Sequence, residues 1–230
     1  MDLTRNADEY WRAKDDSVDD ERLQQLVELV AKSGDVLVVD GGPGMLAERL
    51  RDAGHDVRMT DVSAHAVERA QAKGLDATQL DTDDDALPFG DGRFSCVVSD
   101  SAIEHRFWPR KAVDECARVL APEGTFVLLV PNVAHWRHRL QLLFGRFPEV
   151  PDGPTDRCHL RMLALPELLV WVRGAGLSVD KVRGFPSLWV KGLYPGIFRA
   201  PGVRGFYRLL CWLRPSLFAR DLILTCTKIG

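Results

Sequence analysis

The sequence predicts an α/β fold in which a parallel β-sheet is covered by helices on both faces. Three observations support this prediction. Short, nearly all-apolar segments alternate with amphipathic helical segments five times along the 230-residue chain. The first of these apolar segments, 36–39, runs directly into a glycine-rich turn and then a helix. Polar residues recur where the apolar segments end, which is the edge at which parallel sheets bind ligands.

The individual elements follow from hydrophobic periodicity and from residues that start or stop helices. Two helices, 6–14 and 19–33, precede the first strand, and Gly34 ends the second of them. Ser63 is a helix N-cap and Gly74 a C-terminal stop. The predicted strands are 36–39, 57–61, 77–80, 94–99, 125–130 and a last one over 221–227. The predicted helices after the first strand are 45–53, 64–73, 112–120 and 136–144.

Composition favours a cytoplasmic globular protein. No apolar run is long enough to span a bilayer, and the first 21 residues are polar and acidic, unlike a signal peptide. The five cysteines lack CxxC spacing, which indicates reduced thiols and neither a disulfide framework nor a zinc site. Residues 1–100 hold 11 Lys/Arg and 23 Asp/Glu, whereas residues 101–230 hold 19 and 10. The acidic half carries the predicted ligand edge and argues against nucleic acid as a partner.

Side chains at the carboxyl ends of the strands indicate a small-molecule site. Gly42 and Gly44 lack a Cβ, so their loop can lie against a ligand. Asp61 ends the second strand about twenty residues after that loop, where a carboxylate can accept hydrogen bonds from ribose hydroxyls. The side chains that converge on this edge are those of 40–44, Asp61, Asp83, 99–105 and Asn132.

A series of spaced motifs resembles the class I S-adenosylmethionine-dependent methyltransferases of the type-11 kind. The motifs are the glycine loop, Asp61-Val62-Ser63, 87–94, Ile103-Glu104-His105, 118–124 and Val130-Pro131-Asn132, and the resemblance covers about residues 34–180. It implies a Rossmann-like fold with a seven-stranded, mostly parallel sheet and a helical insertion before the last strand. It also implies S-adenosyl-L-methionine as the cofactor.

The same resemblance assigns cofactor-binding roles to individual residues. Gly42 and Gly44 would pass the methionyl part, Asp61 would bind the ribose with Val62 beside it, and Asp83 would meet the adenine amino group. Ser99 would line the methionyl end.

Two departures from the family pattern concern the glycine loop. Val38 stands where the family usually has an acid, and Asp40 where it usually has glycine. Asp40 either serves the cofactor's ammonium group or clashes with the methionyl portion.

The segment 131–147 resembles MetW-like proteins, and also methyltransferases of polysaccharide and natural-product pathways. The predicted substrate-binding residues are Asn132, Trp136, Arg137 and Arg139, since arginines suit a carboxylate or phosphate. An oxygen nucleophile of high pKa needs a general base, for which His105 and His159 are the candidates.

The Glu104-His105 pair is also similar to part of a metal site in some quinone-pathway relatives. The further acid expected one helical turn earlier is Ser101, however, so no metal is predicted.

The expected organisation is a single domain, 1–230, that transfers a methyl group to a small molecule, most simply at oxygen in a biosynthetic pathway. Its parts are the N-terminal helices 1–33, a cofactor-binding core 34–132, a substrate-side segment with the sixth strand 133–183, an insertion 184–219 and the last strand 220–230.

Two other functions remain open. One is a non-catalytic MetW-like partner of a homoserine acyltransferase, and the other a membrane-associated methyltransferase of a lipid or glycan. The aromatic and arginine-rich stretch 185–219 is predicted to be a lid, a homodimer surface or a peripheral membrane contact.

Overall fold

A single seven-stranded sheet forms the centre of the protein. The computed structural model describes residues 3–14, 19–30, 34–150, 153–186 and 200–230. Within them the strands are β1 Asp35–Val39, β2 Asp56–Asp61, β3 Asp76–Gln79, β4 Phe94–Asp100, β5 Leu120–Pro131, β6 Leu177–Phe185 and β7 Asp221–Lys228. Their order across the sheet is β3-β2-β1-β4-β5-β7-β6.

Helices cover both faces of this sheet. They are α1 Leu3–Ala13, α2 Asp20–Leu29, α3 Met45–Asp52, α4 Ala64–Ala72, α5 Pro109–Val119, α6 Trp136–Leu143, α7 Leu165–Gly174, α8 Pro201–Leu213 and α9 Pro215–Phe218. A 3₁₀ helix, Ile103–His105, follows β4. The predicted fold class is therefore confirmed, including the helical insertion before the last strand.

Strand pairing gathers the polar strand ends at one edge of the sheet. β1 pairs in parallel with both β2 and β4, so the strand order reverses direction at β1 and opens a crevice beyond the carboxyl ends. β7 runs antiparallel to β5 and β6, and Asp221 at its start lies opposite Pro131 at the end of β5. The carboxyl ends of β1, β2, β4 and β5 and the start of β7 consequently share this edge.

The core consists of two apolar layers, one on each face of the sheet. Val36 and Val38 belong to the layer that also contains residues of α2, α3 and α4, whereas Leu37 and Val39 belong to the layer that contains residues of α5 and α7. Successive residues of a strand point to opposite faces, so an entirely apolar β1 is what a strand covered on both sides requires.

Strand β5 is longer than the predicted strand 125–130. The predicted turn at 122–124 is instead a bulge, because the register with β4 jumps from Phe94 opposite Leu120 to Cys96 opposite Thr125. Glu123 takes a left-handed conformation, with φ of 60°, within this bulge. The chain thus accommodates the turn-forming residues without leaving the sheet.

The segment between β6 and β7 is described from residue 200 onward, where it forms α8 and α9. Three aromatic residues of the stretch 185–219 lie outside the described residues: Trp189, Tyr194 and Phe198. Among the described helices, none has the length and apolar character needed to cross a membrane.

Candidate functional site

The glycine loop between β1 and α3 forms one wall of the site. Gly42 and Gly44 have φ angles of 58° and 85°, a region that glycine adopts without steric cost. Gly44 is the N-cap of α3, and a Cβ at this position would lie 2.4 Å from Leu75 Cδ1. Any other residue at position 44 would therefore both strain the backbone and clash with Leu75.

Asp61 ties the end of β2 to the glycine loop. Its side chain accepts hydrogen bonds from the backbone amides of Gly42 and Ser63, both at 2.8 Å. Burial and then the charge of Asp40 raise the pKa of Asp61 to about 7, and the two amide hydrogen bonds oppose that rise. Val62 follows it, half-buried, and its carbonyl accepts a hydrogen bond from Gln79 Nε2 at 3.2 Å.

Asp40 forms a buried ion pair with Arg106, a residue that the sequence reasoning missed. Arg106 Nε donates to Asp40 Oδ2 at 2.9 Å, and its Nη2 donates to Asp40 Oδ1. The third guanidinium nitrogen, Nη1, donates to Asp81 Oδ1 at 3.0 Å. Burial raises the pKa of Asp40, while the charge and hydrogen bonds of Arg106 lower it. Asp40 also has a left-handed backbone, with φ of 54°.

The N-terminal helix lies over the glycine loop. A Cβ on Gly42 would lie 2.4 Å from the indole ring of Trp11, so this ring packs directly on the loop. Two contacts hold α1 against α4: Asp8 accepts from the amide of His65 at 3.1 Å, and Arg69 Nη1 donates to the Trp11 carbonyl at 3.0 Å. Trp11 therefore covers the loop that is predicted to bind the cofactor.

Asp83 and Ser99 occupy two different surroundings. The Asp83 carboxylate accepts from the backbone amides of Phe107 and Trp108, at 2.9 and 2.8 Å, ahead of α5. It also lines an open depression of about 630 Å³ beside Trp108. Ser99 is fully buried in β4, and its hydroxyl has no hydrogen-bond partner among the described residues. Neither arrangement tests the cofactor contacts predicted for these two residues.

His105 and His159, 54 positions apart in the sequence, are neighbours in the structure. Their ring centroids are 4.8 Å apart in an edge-to-face arrangement. His105 Nδ1 lies 3.0 Å from the Cys158 carbonyl oxygen, and His159 Nδ1 lies 3.4 Å from that of Pro154. Burial, followed by the charge of His159, lowers the pKa of His105 to about 4, so this ring is neutral at pH 7.

Glu104 completes a cluster with this histidine pair. Its side chain is 1% exposed, and its two carboxyl oxygens have no hydrogen-bond partner in the described part of the chain. Burial raises the pKa of Glu104 to about 8, and the charges of Asp100 and Asp221 act in the same direction.

The predicted substrate-binding residues lie at the end of β5 and on α6. Asn132 is fully buried: its Nδ2 donates to the carbonyls of Ser216 and Ala219, and its Oδ1 accepts from the Ala134 amide. These hydrogen bonds fasten the insertion to the sheet. Of the arginines, Arg139 is exposed and its Nε donates to the Ala134 carbonyl, while Arg137 is half-buried.

Trp136 belongs to a hydrogen-bonded group that joins α6 to α8. The Tyr207 hydroxyl donates to the Phe218 carbonyl at 2.6 Å and lies 3.0 Å from His135 Nε2 and 3.3 Å from Trp136 Nε1. Because the hydroxyl has one proton, which it gives to Phe218, it accepts from both rings. Trp136 is thereby held against the insertion.

Comparisons with known proteins agree with this architecture. Residues 37–128 match the family described as Methyltransferase domain, Methyltransf_11. A probable S-adenosylmethionine-dependent methyltransferase of Mycolicibacterium smegmatis is 29% identical over 150 residues, which cover 65% of this chain and 54% of the relative. The ubiquinone biosynthesis O-methyltransferase of Xylella fastidiosa is 26% identical over 171 residues, covering 71% of this chain and 69% of that one.

The fold is also similar to solved structures. A SAM-dependent methyltransferase from Archaeoglobus fulgidus superposes with a TM-score of 0.65 at 15% identity, and the match covers 90% of this chain and 92% of that one. The chain spans only about half the length of the mycobacterial relative. Residues 37–128 thus match the methyltransferase domain family, and the relatives and the shared fold are those of class I, S-adenosylmethionine-dependent methyltransferases, which this chain resembles.

Proposed function

We propose that this protein transfers a methyl group from S-adenosylmethionine to an oxygen atom of a small-molecule acceptor. The observation that carries the proposal is the pairing of His105 with His159 directly after β4, at the edge of the sheet where the glycine loop and Asp61 also lie. The similarity to a ubiquinone biosynthesis O-methyltransferase supports oxygen as the acceptor atom.

The residues at this edge fit the cofactor in two respects. Asp61 offers a carboxylate at the end of β2, and the buried hydroxyl of Ser99 has no partner among the described residues. The space over Gly42 is taken by the Trp11 ring, so cofactor binding at the loop requires this ring to move. We assign the loop to the methionyl part of the cofactor and Asp61 to the ribose hydroxyls. Arg106 neutralises Asp40, so the departure at position 40 does not leave an unpaired buried charge.

The cofactor supplies an electrophilic methyl group, and an oxygen nucleophile displaces it in line from the sulfur. The protein's part is to align the acceptor, exclude water and take up the proton of the acceptor hydroxyl. A histidine whose Nδ1–H donates to a carbonyl has its lone pair on Nε2, which can accept that proton. Both rings have Nδ1 directed at a backbone carbonyl, and His105 is neutral at pH 7.

The test is a transfer assay with S-adenosylmethionine labelled at the methyl group and a set of phenolic and aliphatic hydroxyl acceptors. We expect label in a hydroxyl compound, and His105→Ala and His159→Ala each to lower turnover at least about tenfold. His65→Ala is the matched control, since the hydrogen bond from His65 to Asp8 comes from its backbone amide, which alanine keeps. Transfer to nitrogen or carbon alone would contradict oxygen as the acceptor atom, and full activity of both variants would remove histidine as the base.

The non-catalytic alternative, an activator of an acyltransferase, is favoured by the unusual acid at position 40. Co-purification with an acyltransferase, together with no label transfer to any acceptor, would support it over the proposal above.

A further inference from the structure

Glu104, His105 and His159 bring three metal-binding groups to one place. One carboxylate oxygen and one nitrogen from each ring all lie within 4.8 Å of one another. The third donor expected one helical turn before Glu104 is missing, because Ser101 stands there. The fold supplies that donor from His159, on the segment between α6 and α7.

The two segments that carry these groups are locked together by the backbone. The Glu104 carbonyl accepts hydrogen bonds from the amides of Leu160 and Arg161, at 2.9 and 3.0 Å. These two bonds fix the residues next to His159 against the 3₁₀ helix that carries Glu104 and His105. The cluster is therefore held by the fold and does not depend on the chance positions of surface side chains.

Glu104 lacks a partner for its carboxyl group. The group is 1% exposed and neither oxygen has a hydrogen-bond partner among the described residues. Leaving a buried polar group unpaired is costly, so such a group points to a ligand that completes its coordination.

The two imidazole rings are oriented in the way that metal-binding histidines usually are. Such a ring donates its second N–H to a backbone carbonyl or carboxylate, which fixes the tautomer and directs the other nitrogen at the ion. His105 Nδ1 faces the Cys158 carbonyl and His159 Nδ1 faces that of Pro154.

We propose that Glu104, His105 and His159 bind one divalent transition-metal ion of the zinc and manganese class. Two imidazoles and one carboxylate form a donor set that suits these ions, while magnesium prefers oxygen donors alone. In a tetrahedral zinc site the ligand atoms are about 3.3 Å apart, given Zn–N and Zn–O bonds of about 2.0 to 2.1 Å. Ligand atoms that lie at most 4.8 Å apart thus need to approach by no more than about 1.5 Å as the ion binds.

Three protein ligands leave a position for a further ligand, and the class of ligand that fits it is an oxygen of the methyl acceptor. With the ion bound, the imidazole lone pairs are occupied, so the ion, and not a histidine base, would lower the pKa of the acceptor hydroxyl. This part of the inference rests on the proposed function. Binding of the ion itself does not, because it can be measured with neither cofactor nor acceptor present.

The experiment is calorimetric titration of the tag-free, chelator-treated protein with Zn²⁺, and with Mn²⁺ in a second run. The variants are Glu104→Gln and His159→Gln, with His65→Gln as the control. We expect one ion per chain with micromolar or tighter affinity for Zn²⁺, at least about 100-fold weaker binding for the first two variants, and no change for the control. Co²⁺ should give the visible absorption of a tetrahedral or five-coordinate site in the wild type and in His65→Gln. Glu104→Gln and His159→Gln should lack it.

Circular dichroism and the thermal midpoint check that the variants fold, and half-buried His159 is the position less sensitive to substitution. Absence of saturable binding at millimolar Zn²⁺ would overturn the inference, as would equal binding by the wild type and His159→Gln. Methyl transfer that persists in the metal-free protein would overturn the role of the ion in binding the acceptor and would leave the proposed function standing.

Discussion

The buried ion pair between Asp40 and Arg106 is the feature whose removal should have the largest effect on stability. Arg106 is 2% exposed, and its guanidinium donates two hydrogen bonds to Asp40 and one to Asp81. Arg106→Met keeps most of the side-chain stem but removes the cation, leaving a buried carboxylate uncompensated. Breaking a buried pair in this way costs about 3–5 kcal/mol, which is the expected loss in the free energy of unfolding.

The opposite substitution, Asp40→Gly, should cost less. Arg106 keeps its hydrogen bond to Asp81, and glycine relieves the left-handed backbone at position 40, which costs a residue with a Cβ about 1–2 kcal/mol. We therefore expect a loss of about 1–3 kcal/mol. The double variant should be more stable than the sum of the single losses predicts, by about 2 kcal/mol or more.

Urea unfolding at pH 7 without cofactor, followed by tryptophan fluorescence, measures all four proteins. Arg204→Met is the matched control: its ion pair with Glu21 is exposed, so its removal should cost less than about 1 kcal/mol. A loss below 1 kcal/mol for Arg106→Met, or a larger loss for Asp40→Gly than for Arg106→Met, would refute the reasoning.

Three further predictions concern other contacts of the site. Burial raises the pKa of Asp61 to about 7 in the folded protein, against about 3.9 when unfolded, so its contribution to the free energy of unfolding is fully present below about pH 4 and is lost as pH rises to about 7. The difference in urea midpoint between wild type and Asp61→Asn should therefore decline from about pH 4 to pH 7 and level off above it, and a rising difference would contradict the assignment. Gly42→Ala should lower the free energy of unfolding by at least about 1 kcal/mol, because residue 42 has a positive φ and the Trp11 indole lies above it. In a Trp11→Ala background the same substitution should cost less in thermal unfolding. Strictly additive losses would show that the ring does not press on the loop. Tyr207→Phe should lose about 1–3 kcal/mol of the free energy of unfolding, because Phe218, His135 and Trp136 lose their shared partner; a loss near zero would show that these bonds do not hold α8.

The parallel part of the sheet was predictable because burial on both faces makes the sequence of each strand almost entirely apolar. A short, mostly β-branched apolar run such as 36–39, followed at once by a glycine-rich turn, is typical of a strand buried on both faces, and the amphipathic segments between runs supply the covering helices. The bulge in β5 was not predictable, since Pro122, Glu123 and Gly124 are residues typical of a turn and only pairing with β4 keeps them in the sheet.

The polar contacts of the site join residues that are far apart in the sequence, so neighbouring residues could not predict them. Asp40 was expected either to serve the cofactor's ammonium group or to clash with its methionyl portion, whereas its partner in the structure, Arg106, lies 66 positions away and is one of many arginines in the chain. The histidine pair is a similar case: both residues were candidates, but nothing local to His105 indicated that His159 would lie against it. Asn132 lies at the predicted edge of the sheet, and its hydrogen bonds to the insertion follow from the antiparallel β7.

The central claim is that the edge of the sheet around Gly42 and Asp61 binds S-adenosylmethionine, although the loop contains Asp40 and the Trp11 ring packs on it. The most direct test is calorimetric titration of the purified protein with S-adenosylmethionine and S-adenosylhomocysteine, with Asp61→Ala as the variant. We expect one site of micromolar affinity, weakened by about 1–3 kcal/mol in the variant, since the ribose hydroxyls lose their acceptor. No binding at millimolar cofactor by a folded protein, or equal affinity for wild type and variant, would contradict the account.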